Sequence, residues 1–136
     1  MNKLNTVLLI EDDDTVNFYN DFLLKQLNVA ENIIIRENGE EALEYLKACA
    51  QGNAVFPDLI FLDINMPVMN GFEFLEAYEG SPLSGPDAPL IVMLTTSLHP
   101  EDLKRADDYD SISEYIYKPL THDKVNGIMD KYFVPA

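Results

Sequence analysis

The stretch Leu59-Ile60-Phe61-Leu62-Asp63-Ile64-Asn65-Met66-Pro67 joins a short apolar run to an acidic residue and a loop that contains proline. Four apolar residues in succession, without polar alternation, are typical of a strand covered on both faces, as in a parallel sheet. Further runs of this kind occur at Val7–Ile10, Ile33–Ile35, Leu90–Leu94 and Tyr115–Tyr117. We therefore predict five buried strands that run parallel to one another.

Amphipathic stretches separate these apolar runs and predict five helices. One face of the first helix carries four apolar residues, Val16, Tyr19, Leu23 and Leu27, and Phe18 and Phe22 lie alongside this face. Asn38 and Thr121 are expected to cap the second and fifth helices, and the fourth is expected to cover about Pro100 to Asp108. Strands that alternate with helices in this way predict a doubly wound α/β domain.

Chemically reactive residues follow four of the predicted strands. Because ligands bind beyond the carboxyl ends of the strands in such sheets, we expect these residues to meet in one cleft. They are Glu11, Asp12, Asp63, Thr95 and Lys118. Carboxylates about 4 Å apart repel by about 1 kcal/mol in water, and a bound cation removes that repulsion. Oxygen ligands of this kind suit Mg²⁺ or Mn²⁺.

A metal ion, a lysine and a hydroxyl can together bind the oxygens of a phosphoryl group in transfer. In that arrangement Asp63 would be the nucleophile and an aspartyl phosphate the product. The sequence around each strand end resembles the four signature segments of response-regulator receiver domains. The segments are Leu8–Asp13, Leu62–Gly71, Met93–Thr96 and Tyr115–Leu120.

The resemblance implies a flavodoxin-like sheet of five parallel strands in the order 2-1-3-4-5, with helices on both faces. It also implies a role for each matched residue. Asp63 matches the phosphoacceptor, and Thr95 and Lys118 match the residues that contact the phosphoryl oxygens. Three further residues match metal ligands: Asp12 binds directly, Glu11 through water and Asn65 through its backbone carbonyl. Tyr115 matches the aromatic residue that rotates as Thr95 moves. The bond between Lys118 and Pro119 is expected to be cis.

The resemblance further implies a stand-alone response regulator of a two-component or phosphorelay system, with no enzymatic activity beyond its own phosphorylation and dephosphorylation. Its donor would be a sensor histidine kinase or a histidine phosphotransfer protein. Phosphorylation would reshape the surface of the fourth helix, fifth strand and fifth helix. That surface would bind an unknown downstream protein, or a second copy in a weak dimer of an otherwise monomeric chain.

Two alternatives remain open from the sequence. Asp12-Asp13-Asp14-Thr15-Val16 fits the pattern of haloacid-dehalogenase-like phosphatases, in which Asp12 would be the nucleophile. However, Glu11 separates that pattern from the apolar run, and the length leaves no room for a cap. The second alternative is a pseudo-receiver that binds its partner constitutively, although the set of acids, threonine and lysine is complete.

Composition sets limits on partners and location. The 136 residues predict a single domain, residues 1–136, with a core of about 6–133. A net charge of −15 opposes binding to nucleic acids or anionic membranes, and no stretch approaches the ~20 apolar residues of a membrane span. The one cysteine, Cys49, permits no internal disulfide and is expected to be a small apolar helix residue. We expect a soluble cytoplasmic protein.

Overall fold

The computed structural model describes residues 3–83, 88–96 and 99–133. Five strands and five helices alternate along them. The elements are β1 (Leu4–Ile10), α1 (Asp14–Leu27), β2 (Ala30–Arg36), α2 (Gly39–Ala50), β3 (Leu59–Asp63), α3 (Gly71–Glu79), β4 (Leu90–Thr95), α4 (Pro100–Ala106), β5 (Ile112–Tyr117) and α5 (His122–Tyr132).

The five strands form one parallel sheet in the order β2-β1-β3-β4-β5, which confirms the predicted topology. All five residues of β3 are buried, because this strand lies at the centre between β1 and β4. In register, Ile10 pairs with Leu62 and Asp63 pairs with Leu94. The carboxyl ends of these three strands therefore reach the same edge of the sheet.

Successive side chains of a strand point to opposite faces, so each face of the sheet has its own core. One core joins β1 and β3 to α2, α3 and α4, and it includes Leu8, Ile60, Leu46, Phe72 and Ala106. The other core joins the same strands to α1 and α5, and it includes Leu9, Phe61, Leu24, Val125 and Met129. Helices thus cover both faces, as the resemblance implied.

The orientation of α1 differs from the prediction. Phe18 is 76% exposed and Phe22 58% exposed, although both were expected beside the buried face. The buried residues of α1 are instead Asn17, Asn20, Leu23 and Leu24. The periodicity of apolar residues does not predict this orientation, because two of the residues that face inward, Asn17 and Asn20, are polar. Leu23 alone of the expected stripe lies fully inside, while Tyr19 is 43% exposed.

Side chains cap four of the helices. Asn38 accepts from the backbone N–H of Glu41, and Thr121 accepts from that of Lys124, as predicted. Asp13 caps α1, and Asn70 forms a reciprocal capping box with Glu73 at the start of α3. The capping box fixes the point at which the loop after Asp63 turns into a helix.

The start of α3 lies directly against the backbone of the central strand. A Cβ atom on Gly71 would lie 2.3 Å from the backbone oxygen of Asp63, so no other residue fits without movement of the backbone. The N–H of Gly71 donates to the carbonyl of Ile64 at 2.8 Å, which holds the same approach. Gly71 therefore sets how closely α3 approaches the end of β3.

We expect Gly71→Ala to lower the free energy of unfolding by about 1–3 kcal/mol or more, because a well-packed site must shift to admit the methyl group. Urea denaturation followed by circular dichroism measures the change. Gly127→Ala is the matched control, since a Cβ there meets nothing within 4 Å and α5 would gain about 0.5–1 kcal/mol from the better helix former. Equal stability of Gly71→Ala and the wild type would contradict this account.

Candidate functional site

The cleft at the carboxyl edge of the sheet contains the end of β3 and the residues that follow β1 and β5. Asp63 is the last residue of β3, and Glu11 follows Ile10, the last residue of β1. Lys118 follows β5, and its backbone N–H donates to the carbonyl of Thr95 at 2.9 Å. The parallel register thus brings together residues that are more than one hundred positions apart in the chain.

Three acidic residues of this cleft can share one metal ion. One carboxylate oxygen from each of Glu11, Asp12 and Asp63 lies within 4.8 Å of the others. Opposite ligands of an Mg²⁺ ion stand about 4.2 Å apart, since each bond is about 2.1 Å long. The donors are all oxygens, and Asp12 is exposed, which leaves room for the waters that Mg²⁺ retains. Both the spacing and the chemistry of the donors fit Mg²⁺ or Mn²⁺.

Lys118 connects the two buried acids of the cluster. Its ammonium nitrogen lies 3.3 Å from Oδ1 of Asp63 and donates a hydrogen bond to Oε1 of Glu11. Oε2 of Glu11 accepts from the backbone N–H of Asp13 at 3.2 Å. Each oxygen of the Glu11 carboxylate therefore has a donor, and one ammonium partly neutralises two carboxylates.

Burial changes the proton affinity of both acids. Burial raises the pKa of Glu11 to about 7, and the negative charge of Asp63 adds to this effect while the hydrogen bond from Lys118 opposes it. Burial also raises the pKa of Asp63, against the lowering effect of the Lys118 charge. Burial alone would lower the pKa of the Lys118 ammonium, but the two acids together raise it. The cleft thus favours positive charge, which the Lys118 ammonium supplies in this structure.

Two residues with predicted switching roles lie next to this cleft. Thr95 is fully buried at the end of β4, one position beyond the partner of Asp63. Tyr115 lies on β5, and its buried hydroxyl makes no hydrogen bond of normal geometry to the described residues. Burial raises the pKa of this hydroxyl, and the neighbouring Thr95 side chain opposes the effect. The two side chains are therefore close to each other, while rotation of Tyr115 stays a prediction.

Asn65 lies in the exposed loop two residues after Asp63, and the role of its carbonyl in metal binding also stays a prediction. This loop has a second support, which the sequence did not predict. The backbone N–H of Gly39 donates to the carbonyl of Met69 at 2.9 Å, and a Cβ on Gly39 would lie 2.8 Å from Cγ of Met69. The start of α2 thus holds the loop that carries Asn65.

Sequence reasoning also missed Asn17, whose side-chain N–H donates to the backbone carbonyl of Glu11 at 2.8 Å. The available signal was a polar residue six positions after an acid at a strand end, too weak a pattern to identify a contact. The expected cis bond between Lys118 and Pro119 is present. The cleft therefore contains the predicted acids and lysine, together with backbone supports that no motif indicated.

Comparison with known proteins identifies the family. Residues 7–130 match the family model described as the response regulator receiver domain. The chain belongs to the response-regulator receiver family. Receivers are signalling switches of two-component systems rather than classical enzymes, and they bind Mg²⁺ or Mn²⁺ at an acidic pocket. The family assignment leaves the phosphatase alternative without support.

The receiver is similar to the nitrate/nitrite response regulator protein NarL of Escherichia coli strain K12, with 37% identity over 136 residues and 91% of this chain covered. A two-component response regulator from Cytophaga hutchinsonii aligns with a TM-score of 0.84 and 32% identity, covering 96% of this chain and 97% of that one. The Mn²⁺-bound form of response regulator Rcp1 aligns with a TM-score of 0.76 and 26% identity, covering 97% and 99%.

The chain spans 56% of the length of NarL, and between 22% and 79% of the length of three other curated relatives. The similarity therefore covers the receiver part of several longer proteins. In the part of the chain that the structure describes, no helix is both long enough and apolar enough to cross a membrane.

In the absence of divalent cations, we expect the contribution of Glu11 to the free energy of unfolding to fall as the pH rises. Folded Glu11 keeps its proton up to a pKa of about 7, whereas in the unfolded chain it loses the proton near 4.5. Between these values the folded state binds more protons, so this contribution is complete below pH 4.5 and lost as the pH passes 7. Urea denaturation at several pH values in a chelator measures it.

Glu11→Gln is the control, because it removes this titration and leaves that of Glu114, whose pKa Lys131 lowers, unchanged. An identical pH profile for variant and wild type would contradict the assignment.

A metal ion bound by these acids would compete with the proton on Glu11. We therefore expect Mg²⁺ to raise the melting temperature, and more so at pH 8 than at pH 5.5. Equal melting temperatures with Mg²⁺ and with a chelator would argue against the metal site.

Proposed function

We propose that this receiver accepts a phosphoryl group on Asp63, with bound Mg²⁺ or Mn²⁺, from a sensor histidine kinase or a histidine phosphotransfer protein. The observation that carries the proposal is the Lys118 ammonium, 3.3 Å from Oδ1 of Asp63 inside a cluster of three acids. This arrangement supplies a nucleophilic carboxylate and the positive charge that the incoming group needs.

In the proposed reaction an oxygen of Asp63 attacks the phosphorus atom, and the bond from phosphorus to the donor's imidazole nitrogen breaks. Glu11, Asp12, Asp63 and the carbonyl of Asn65 would hold the metal ion, which when bound neutralises charge on the phosphoryl oxygens. Lys118 would move its hydrogen bonds from the two carboxylates to a phosphoryl oxygen. The buried hydroxyl of Thr95 would donate to another.

The switch follows from the surroundings of Thr95. Thr95 would move toward the phosphoryl group, and Tyr115 would turn into the space it leaves. Tyr115 lines a cavity of about 450 Å³ beneath α4, together with Leu103 and Ala106. A change in Tyr115 therefore reaches the surface formed by α4, β5 and α5, where we place the binding of an unknown downstream protein. That the receiver acts alone, in the cytoplasm, as a monomer or weak dimer stays a prediction.

Helix α4 and the residues just after it contact α3 through side chains. Arg105 lies over the ring of Phe72 at 4.4 Å and pairs with Glu76 at 3.3 Å. The Tyr109 hydroxyl, just beyond α4, donates to the same Glu76 carboxylate at 2.8 Å. These contacts are mostly exposed, and exposed ion pairs contribute only about 0–1 kcal/mol each. A helix held in this way can shift at low cost, which suits an element that responds to Tyr115.

We expect one phosphoryl group to add to the wild type, and none to Asp63→Asn, when each is incubated with Mg²⁺ and acetyl phosphate. Intact-mass spectrometry measures the addition of one phosphoryl mass. Asp12→Asn distinguishes Asp63 from Asp12 as the nucleophile, because the variant weakens metal binding but keeps the Asp63 carboxylate. It should therefore be labelled more slowly and still at Asp63.

Equal labelling of the wild type and Asp63→Asn would place the nucleophile elsewhere and contradict the proposal. If a cognate histidine-phosphorylated donor also leaves the wild type unlabelled, the protein is a pseudo-receiver. Both outcomes are read from the same mass measurement, and circular dichroism of each variant confirms that it is folded.

The donor protein would approach across α1. Its phosphohistidine must touch Asp63, so its surface must also cover the elements that border the cleft. One of these is α1, where Phe18 and Phe22 stand one turn apart and are 76% and 58% exposed. Beside them, Val16, Tyr19 and Leu120 line an apolar groove of about 410 Å³ that extends to Lys118. Exposed apolar surface that continues into the cleft is typical of a binding surface.

We expect Phe18→Ser combined with Phe22→Ser to slow phosphotransfer from a protein donor by at least about tenfold, because burial of each ring contributes about 1.5–3 kcal/mol. Labelling by acetyl phosphate should not change, since a small donor needs no protein surface. Val55→Ser is the matched control, because Val55 is 60% exposed but lies in the loop at the opposite edge of the sheet. Equal loss with both donors would contradict a docking role.

A further inference from the structure

We propose that Asn17 is a positioning residue for the metal site, because its side-chain amide fixes the peptide that joins Glu11 to Asp12. The inference rests on the proposed metal-dependent function and adds a residue that no signature segment contains. Asn17 lies on α1, is only 5% exposed, and belongs to the inward face that the apolar pattern did not predict.

The contact is specific and buried. Nδ2 of Asn17 donates to the backbone carbonyl of Glu11 at 2.8 Å, six positions earlier in the chain. This carbonyl lies just beyond the end of β1. The N–H of Glu11 still donates to the carbonyl of Arg36 at 3.0 Å. Glu11 is therefore tied to β2 on its amide side and to α1 on its carbonyl side.

The peptide held in this way carries two of the three acids. The carbonyl of Glu11 and the N–H of Asp12 belong to one planar unit, so a hydrogen bond to the carbonyl also restricts the position of the Asp12 Cα atom. Glu11 is additionally held by Lys118 and by the N–H of Asp13. Asp12 is exposed, so the position of its carboxylate depends on the peptide bond that precedes it. The hydrogen bond from Asn17 is thus placed to keep the oxygen of Asp12 within 4.8 Å of its two partners.

The other half of the Asn17 amide supports this reading. Its Oδ1 is buried without a hydrogen-bond partner among the described residues. A buried acceptor without a partner disfavours the folded state, and an apolar residue of similar shape would remove that cost. What asparagine supplies here and leucine does not is the N–H donor. The geometry therefore assigns the function of Asn17 to its contact with Glu11 and not to packing.

Asn20 provides a matched comparison on the same helix. It is 3% exposed and lies three residues after Asn17, but it borders the groove next to Leu120. Asn17→Leu and Asn20→Leu make the same chemical change at the same level of burial. Any general loosening of α1 would affect both variants, whereas loss of the Glu11 contact affects only the first.

The experiment is a calorimetric titration of Mg²⁺ into wild type, Asn17→Leu and Asn20→Leu, with urea denaturation of each in a chelator. Loss of a supporting contact to a metal ligand typically weakens metal binding by roughly ten- to a hundredfold. We expect Asn17→Leu to bind Mg²⁺ at least tenfold more weakly while its midpoint of urea denaturation changes little, because removal of the unpaired Oδ1 offsets the loss of the donor to the Glu11 carbonyl. Asn20→Leu should bind Mg²⁺ within about twofold of the wild type.

If Asn17→Leu does not fold, Asn17→Ser replaces it, because serine is smaller and cannot reach the carbonyl. Unchanged Mg²⁺ affinity in the folded Asn17 variant overturns this inference alone, as does equal weakening in both asparagine variants. Failure of the wild type to bind Mg²⁺ overturns the proposed metal site and this inference with it. Nuclear magnetic resonance of the apo proteins gives an independent readout, since the amide signal of Asp12 should shift in the Asn17 variant and keep its position in Asn20→Leu.

Discussion

Two carboxylates buried beside each other at the end of a parallel sheet are the constraint on which the rest of this structure depends. Glu11 and Asp63 face each other where the fold excludes most of the water, so burial raises the pKa of both, and the charge of Asp63 raises that of Glu11 further. Lys118 opposes these effects because it contacts both. The fold brings Lys118 there through β5, whose end is fixed to β4 by the hydrogen bond to Thr95. The acids, the lysine and the buried threonine therefore form one electrostatic unit.

Three kinds of positive charge compete for the carboxylates of this unit. A proton, the Lys118 ammonium and a divalent cation each neutralise them, and a buried site of fixed geometry cannot satisfy all three at once. With a pKa of about 7, Glu11 changes its protonation state within the neutral range. In the proposed reaction a metal ion would bind the carboxylates, and the Lys118 ammonium would then be available to a phosphoryl oxygen. The ion pairs of Lys118 with Glu11 and Asp63 hold this ammonium beside the proposed phosphoacceptor.

Much of this could be predicted from the sequence, because apolar runs and the residues after them depend on local spacing. The strand order, the two covered faces and the meeting of Glu11, Asp12, Asp63 and Lys118 are all confirmed. The supports of the site could not be predicted. They are backbone contacts between distant segments, such as that from Gly39 to Met69, and the only trace in the sequence is a glycine.

Helix α1 shows why the prediction failed where it did. Hydrophobicity favoured an inward Phe18, yet the buried neighbour is Asn17, whose amide binds the carbonyl that follows β1. The inward face of the helix therefore combines this hydrogen bond with the burial of Leu23 and Leu24, and the two phenylalanines stay outside. The same rotation that turns Asn17 toward the acids turns Phe18 and Phe22 toward solvent beside the cleft. The proposed support of the metal site and the proposed donor surface thus both depend on one helix orientation.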